Sequence, residues 1–241
     1  MKYFIFAWLL LTFSGPLWLW WQGRVDFNAD YRTANRASAG IAPLASTTSE
    51  AVIQVYAARA FNWRGLFASH SWMALRPKGA ADYTVYQVVG WNSYHGLPAL
   101  TVMADIPDRF WYGAAPNLVL DVRGEQAAKL IPRIEQAAKE YPYAVPYTVW
   151  PGPNSNSFPA YIGRAVPELR LALPADALGK DFLPQGAFFA RAPSGTGYQL
   201  SLFGILGVMI AQKEGIEINL LGMVYGVRFS PFTLLLPGWN G

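Results

Sequence analysis

Two histidines occur in the chain, at positions 70 and 95, and the first stands in a setting that could do chemistry. His70 lies in Ser69-His70-Ser71-Trp72, within a run that alternates like a strand, and Asn154-Ser155-Asn156-Ser157-Phe158 later opens a helical pattern. A helix N-terminus offers free N–H groups and partial positive charge, which favour an anion such as a developing oxyanion. An imidazole brought beside that end would act as general base, and a third polar group would hold its ring. On this reading His70 and Ser155 are the catalytic candidates. Asn154, Asn156, Tyr86 and Gln87 would support them, with Asn92 an equal alternative for orienting the ring. The competing reading is structural: Asn154 or Ser155 is a natural N-cap, and a strand histidine is more often a satisfied partner. His95, in Ser93-Tyr94-His95-Gly96, reads as a loop residue that joins the others only if its loop folds back.

Other chemistries find little support. The absence of cysteine excludes disulfides, thiol nucleophiles, cysteine-based zinc sites and iron–sulfur clusters. Two histidines cannot build a three-histidine metal centre, and neither a metal nor a cofactor is expected. There is no Gly-x-Ser-x-Gly elbow, no His-Glu-x-x-His and no phosphate-binding glycine loop. Ser194-Gly195-Thr196-Gly197 reads as a tight turn. Asp105, Asp108 and Asp121 could approach one another, but no spacing compels it. The net charge of +4 comes without a Lys/Arg cluster, so nucleic acid is not an expected partner.

The elements that must position the candidates are legible in outline. Strands are expected at Ala51–Tyr56, Ala68–Leu75, Tyr83–Trp91, Ala99–Asp105 and Asn117–Val122. Glu125–Tyr141 switches to helical spacing, with Pro132 kinking that helix or marking its start. A second helix is expected from about Ser155 to Val166. Leu200–Ala211, about twelve apolar residues, is too short to cross a bilayer and reads as a buried or interface-lying helix. Ile216–Leu236 reads as strands broken by Gly222, Gly226 and Pro231. The expected class is α+β: an N-terminal transmembrane helix (1–22), a linker (23–50) and one domain (51–241), mainly antiparallel sheet with packed helices.

The order of a strand histidine followed by a polar residue opening a helix resembles circularly permuted papain-like proteins, the group of lecithin retinol acyltransferase and the PPPDE-type peptidases. There the nucleophile sits in a motif like Asn-Cys-Asn-His-Phe. Here Ser155 stands where cysteine would be, and a serine hydroxyl needs true general-base removal of its proton. The wider chain resembles a bacterial family known only as domain of unknown function 3750. That likeness rests on Ala57-Ala58-Arg59, Trp63-Arg64-Gly65, Trp150-Pro151-Gly152-Pro153-Asn154-Ser155-Asn156, Pro193-Ser194-Gly195-Thr196-Gly197-Tyr198 and Asn219-Leu220-Leu221-Gly222. It implies no assigned activity.

From Tyr3 to Trp21 the chain carries no charge, and a helix of that length covers about 28 Å, close to a hydrocarbon core. Membrane lipid is therefore the expected partner of this segment, held by an uncleaved anchor, because no small-residue cleavage site follows. The expectation is a single-pass protein of the bacterial inner membrane with its domain in the periplasm. Its ligand would be an envelope peptide or lipid. Two functions remain open: a non-catalytic binding or scaffolding module, or a serine-dependent hydrolase or acyltransferase.

Overall fold

The computed structural model of the chain describes residues 2–239. In order these form helix α1 (Lys2–Trp21), strands β1 (Val52–Arg59), β2 (Ser69–Arg76) and β3 (Thr84–Val88), and a short helix α2 (Gly90–Tyr94). Strands β4 (Leu100–Ala104) and β5 (Asn117–Arg123) then lead into helices α3 (Gly124–Lys139) and α4 (Ser157–Ala165). The chain continues through β6 (Phe189–Arg191), β7 (Gly197–Leu202), β8 (Leu206–Ala211), β9 (Gly215–Leu220), β10 (Met223–Phe229) and β11 (Phe232–Leu235). The class is α+β, with two antiparallel sheets. One has the order β4-β3-β2-β1-β5, and the other is a meander, β11-β10-β9-β8-β7-β6.

The central strands β1, β2 and β3 are covered on both sides, because most of their residues in either direction are buried. Ile53, Val55, Met73, Leu75, Tyr86 and Val88 meet Leu130, Ile131 and Ile134 of α3 and Phe158 and Ile162 of α4. Val52, Tyr56, Ala58, Trp72, Ala74 and Val85 pack on the other side with Trp111, Ile41 and Tyr112. Burying each of the larger side chains contributes about 1.5–3 kcal/mol. Residues 23–50, expected as a linker, fold back to close this second side. Asp108 accepts bonds from the Ser38 hydroxyl at 2.7 Å and the Ala42 amide at 3.0 Å.

Two expectations need correction. Leu200–Ala211 is not a helix but the β7–β8 hairpin. Ser201, Met209 and Ala211 point inward, whereas Leu200, Leu202, Leu206, Val208 and Ile210 point out, so the apolar run is one face of a hairpin. Its turn is Phe203-Gly204 with both residues at positive φ (52° and 75°), the geometry of a tight hairpin, closed by Ile205 N–H donating to the Leu202 carbonyl at 2.9 Å. Phenylalanine is a poor signal for that turn, and the sequence pattern hides it. The second correction concerns α1. The helix forms, but among the described residues no helix is long and apolar enough to cross a membrane. Instead α1 packs along the body. Thr12, Gly15, Pro16 and Leu19 make a buried stripe, and the Thr12 hydroxyl meets the Tyr225 hydroxyl at 2.5 Å. A Cβ at Gly15 would lie 2.2 Å from the Pro237 carbonyl oxygen, so only glycine admits the close approach of α1 to the C-terminal segment.

Because Phe203 is exposed and strained at positive φ, Phe203→Asn relieves the turn without losing core. We expect it to raise stability in aqueous solution by about 0.5–1 kcal/mol, read as a shift of the urea midpoint.

Candidate functional site

The Asn154–Ser157 turn is built as a clamp. Asn154 donates through Nδ2 to the Val149 and Leu178 carbonyls, both at 3.0 Å. Its Oδ1 accepts the Asn156 amide at 2.9 Å and the Ser157 amide at 3.2 Å, so it satisfies the open end of α4. Asn156 donates to the Ser69 carbonyl at 2.8 Å and the Leu178 carbonyl at 2.9 Å, and the Ser157 hydroxyl donates to Gly179 O at 2.8 Å. Three of the four polar side chains thus tie α4 to the 178–179 loop and to the start of β2. Ser155 is buried, and its hydroxyl makes no hydrogen bond among the described residues.

His70 goes the other way. Alternation along β2 sends Met73 and Leu75 toward α4, and with them Ser69 and Ser71, while His70 and Trp72 face the opposite layer. The imidazole stacks on Trp111, with ring centroids 3.5 Å apart and an interplanar angle of 5°. Its Nε2 is buried without a hydrogen bond. Burial pushes its pKa down to about 3, with Gln87 opposing the shift weakly. A ring so reluctant to hold a proton is a poor general base for a hydroxyl. No hydrogen bond joins it to Ser155 among the described residues. Of the supporting candidates, Gln87 shares His70's side. Tyr86 faces the helices, its hydroxyl pushed up to about 12 by burial, and cannot orient the ring. Asn92 is spent on the Pro98 carbonyl at 3.1 Å, and His95 is exposed at the end of α2. Asp105, Asp108 and Asp121 engage separate partners: Arg109, the 38–42 segment, and Gln54 with Arg123.

On α4's own side of the sheet lies a buried carboxyl, Asp176, which sequence reasoning did not select. Its backbone carbonyl accepts the Ser69 amide at 2.9 Å. Burial pushes its carboxyl up to about 6, against the pull of Arg59 and a weaker contribution from Ser69. Both carboxyl oxygens are buried without a well-formed hydrogen bond, as are Ser69 Oγ, Ser71 Oγ and Asn156 Oδ1. Only its place between the apolar Ala175 and Ala177 hinted at this burial. Across the sheet, a cleft of about 550 Å³ lies between residues 23–35 and the ends of β1 and the 111–114 turn. Phe61, Trp111 and Tyr112 give it aromatic walls, with Arg24 and Asn62 as polar handles. Trp111 also carries the stack with His70, so the histidine braces the aromatic wall of this cleft. Among the described residues no group of three His, Asp or Glu side chains could hold a metal ion.

Gly179 tests the clamp. At φ +97° a Cβ would sit 2.2 Å from Asn154 Nδ2 and 2.5 Å from Oδ1. Gly179→Ala should cost about 2–4 kcal/mol by chemical denaturation, whereas Gly186→Ala, at φ +72° with open space around it, should cost about 1 kcal/mol. His70 and Asp176 should also give opposite pH slopes. His70 has a folded pKa below its unfolded 6.5, so its contribution is present above 6.5 and is lost as pH falls toward 3. Asp176 has a folded pKa above its unfolded 3.8, so its contribution is present below 3.8 and is lost as pH rises through 6. Hence His70→Phe should remove about 2 kcal/mol of the stability difference between pH 7 and 5. Asp176→Asn should gain roughly 2 kcal/mol at pH 7.5 relative to pH 4, both read from denaturation midpoints.

No curated protein and no solved structure matches the chain. One family model does, over residues 50–182, a stretch that holds the five-stranded sheet, α3, α4 and the whole Asn154–Ser157 clamp. On that match, which covers more than half of its length, the chain belongs to the DUF3750 family of proteins of unknown function.

Proposed function

We propose that this protein is a membrane-associated binding or scaffolding module of the bacterial cell envelope, a non-catalytic variant of the permuted papain-like arrangement, facing the periplasm. The observation that carries the proposal is the position of His70: buried, neutral and stacked on Trp111, on the side of the sheet away from α4. A papain-like reaction needs imidazole and nucleophile in one crevice, with a base able to take and return a proton at working pH. The Asn154–Ser157 turn spends its side chains on architecture instead. The ligand site in this reading is the cleft beside Trp111. Its aromatic walls and Arg24 suit an envelope peptide or the anionic headgroup of a lipid.

One observation favours a second reading. Ser155 alone in its turn has an unengaged hydroxyl near the N-terminus of α4, as a serine hydrolase or acyltransferase acting on an envelope peptide, amide or lipid ester would require. A fluorophosphonate probe separates the two. We expect folded wild-type protein to remain unlabelled. Labelling at Ser155 that disappears in Ser155→Ala and in His70→Ala would replace the binding-module reading with the enzyme.

A further inference from the structure

The six-stranded sheet buries polar groups beside the apolar Met209, Ala211, Val224 and Leu235 of its inner face. Its inner face carries Gln199, Ser201, Glu217 and Asn219, all nearly inaccessible. These meet Lys180 and Asp181: Lys180 bonds Glu217, and Asn219 Nδ2 donates to Asp181 at 2.9 Å. The outer face is apolar along whole cross-strand rows. In the central row Tyr225 pairs with Ile218, Ile218 with Val208, Val208 with Leu200 and Leu200 with Phe189. The flanking row runs Leu234, Val227, Ile216, Ile210 and Tyr198, ending at Arg191 on the edge strand. Leu200 is 53% exposed, Ile210 62% and Ile218 49%. A contiguous apolar surface of this extent is far beyond the scattered exposed residues of ordinary soluble proteins.

We propose that this outer face lies in the membrane interface and that the bilayer, rather than a protein, covers it. Continuity with α1 is the first argument. Thr12 of α1 bonds Tyr225 in the central row, and Trp18 stacks on Trp239 just past β11 at 6.2 Å. Only one stripe of α1 is buried, which leaves Ile5, Phe6, Leu9, Leu10, Leu17, Trp20 and Trp21 exposed beside the sheet. Trp18, Trp20, Trp21 and Trp239 gather at one end of this surface, as rings at a lipid headgroup boundary do. The second argument is the poverty of hydrogen-bonding groups. A protein interface carries about one hydrogen bond per 100–200 Å². The outer rows offer only the hydroxyls of Tyr198 and Tyr225, the second already bonded to Thr12, and the Arg191 guanidinium at the edge, while the inner strands satisfy their backbone groups in the ladder. The third is charge. Beyond Asp181 the only acidic residues are Glu214 and Glu217, both buried, whereas Arg191 and Lys213 are exposed. The ionised groups that this half turns outward are therefore cationic and suit anionic headgroups.

This inference rests on the membrane-associated reading above and extends it from α1 to the sheet. The test uses the full chain with vesicles of phosphatidylethanolamine and phosphatidylglycerol, read by flotation. Two variants run in parallel: Leu200→Thr/Val208→Thr/Ile218→Thr on the sheet, and Leu9→Gln/Leu10→Gln on α1. Threonine keeps strand propensity, and an unchanged urea midpoint in detergent-free buffer verifies the fold. Wild type should float, and the sheet variant should lose at least about tenfold in partitioning. If only the α1 variant loses binding, the sheet proposal falls and the α1 reading stands. If wild type does not float, both fall. If it stays in solution as a dimer that the sheet variant converts to monomer, the face is a self-interface and the lipid proposal is overturned.

Discussion

Neighbouring side chains of a β-strand leave the backbone on opposite sides, and most of what this molecule can do follows from that constraint. In β2 it parts Ser69 and Ser71 from His70, so two groups that lie a residue apart belong to different layers. Sliding the strand by one residue would exchange the layers and turn the imidazole toward α4. Eight paired positions, from Val52 opposite Arg76 to Arg59 opposite Ser69, hold the register, and Asn156 grips the Ser69 carbonyl at its end. The same parity sorts the second sheet, where Glu217 and Asn219 turn in and Ile216 and Ile218 turn out.

Charge inside the second sheet joins the two halves. Arg164 of α4 donates to the Lys180 carbonyl at 2.9 Å and to Gln199 of β7 at 2.7 Å, while Lys180 sits between Glu217 and Asp181. Burial works against the charge on Lys180, but the surrounding carboxylates outweigh it and raise its pKa. Burying such groups costs desolvation that their attraction only partly offsets, so the network adds little to net stability. What it does is fix one arrangement, since any other packing would strand an ion without a partner.

The five strands of the first sheet and both long helices were legible because their periodicity is strong. Met73 and Leu75 alternate, and Ala127, Leu130, Ile131 and Ile134 recur at helical spacing. The second sheet was harder because both of its faces carry apolar residues, Met209 and Ala211 within and Val208 and Ile210 without. Val208 and Ile210 look like core, so the stretch around them reads as a buried helix, although their pairing partners show they face out. The polar motif at 154–157 was visible, and its role as a clamp was half anticipated in the cap reading of Asn154. The layer separating His70 from α4 was also implicit in strand parity. It needed the location of α4 on one particular face, which no local pattern supplies. Trp111 and Asp176 escaped notice because both lie in turns, where spacing has no period to read.

The seat of α1 has a temporal side. Its contacts with Tyr225, across 213 residues of chain, and with Pro237 and Gly238 require segments made long after it. While the intervening strands are being made, a helix rich in leucine and tryptophan has only nearby groups such as Phe67, which meets Phe13 edge to face, to cover it. The full seat of α1 is thus complete only once β10 and the segment after β11 are in place.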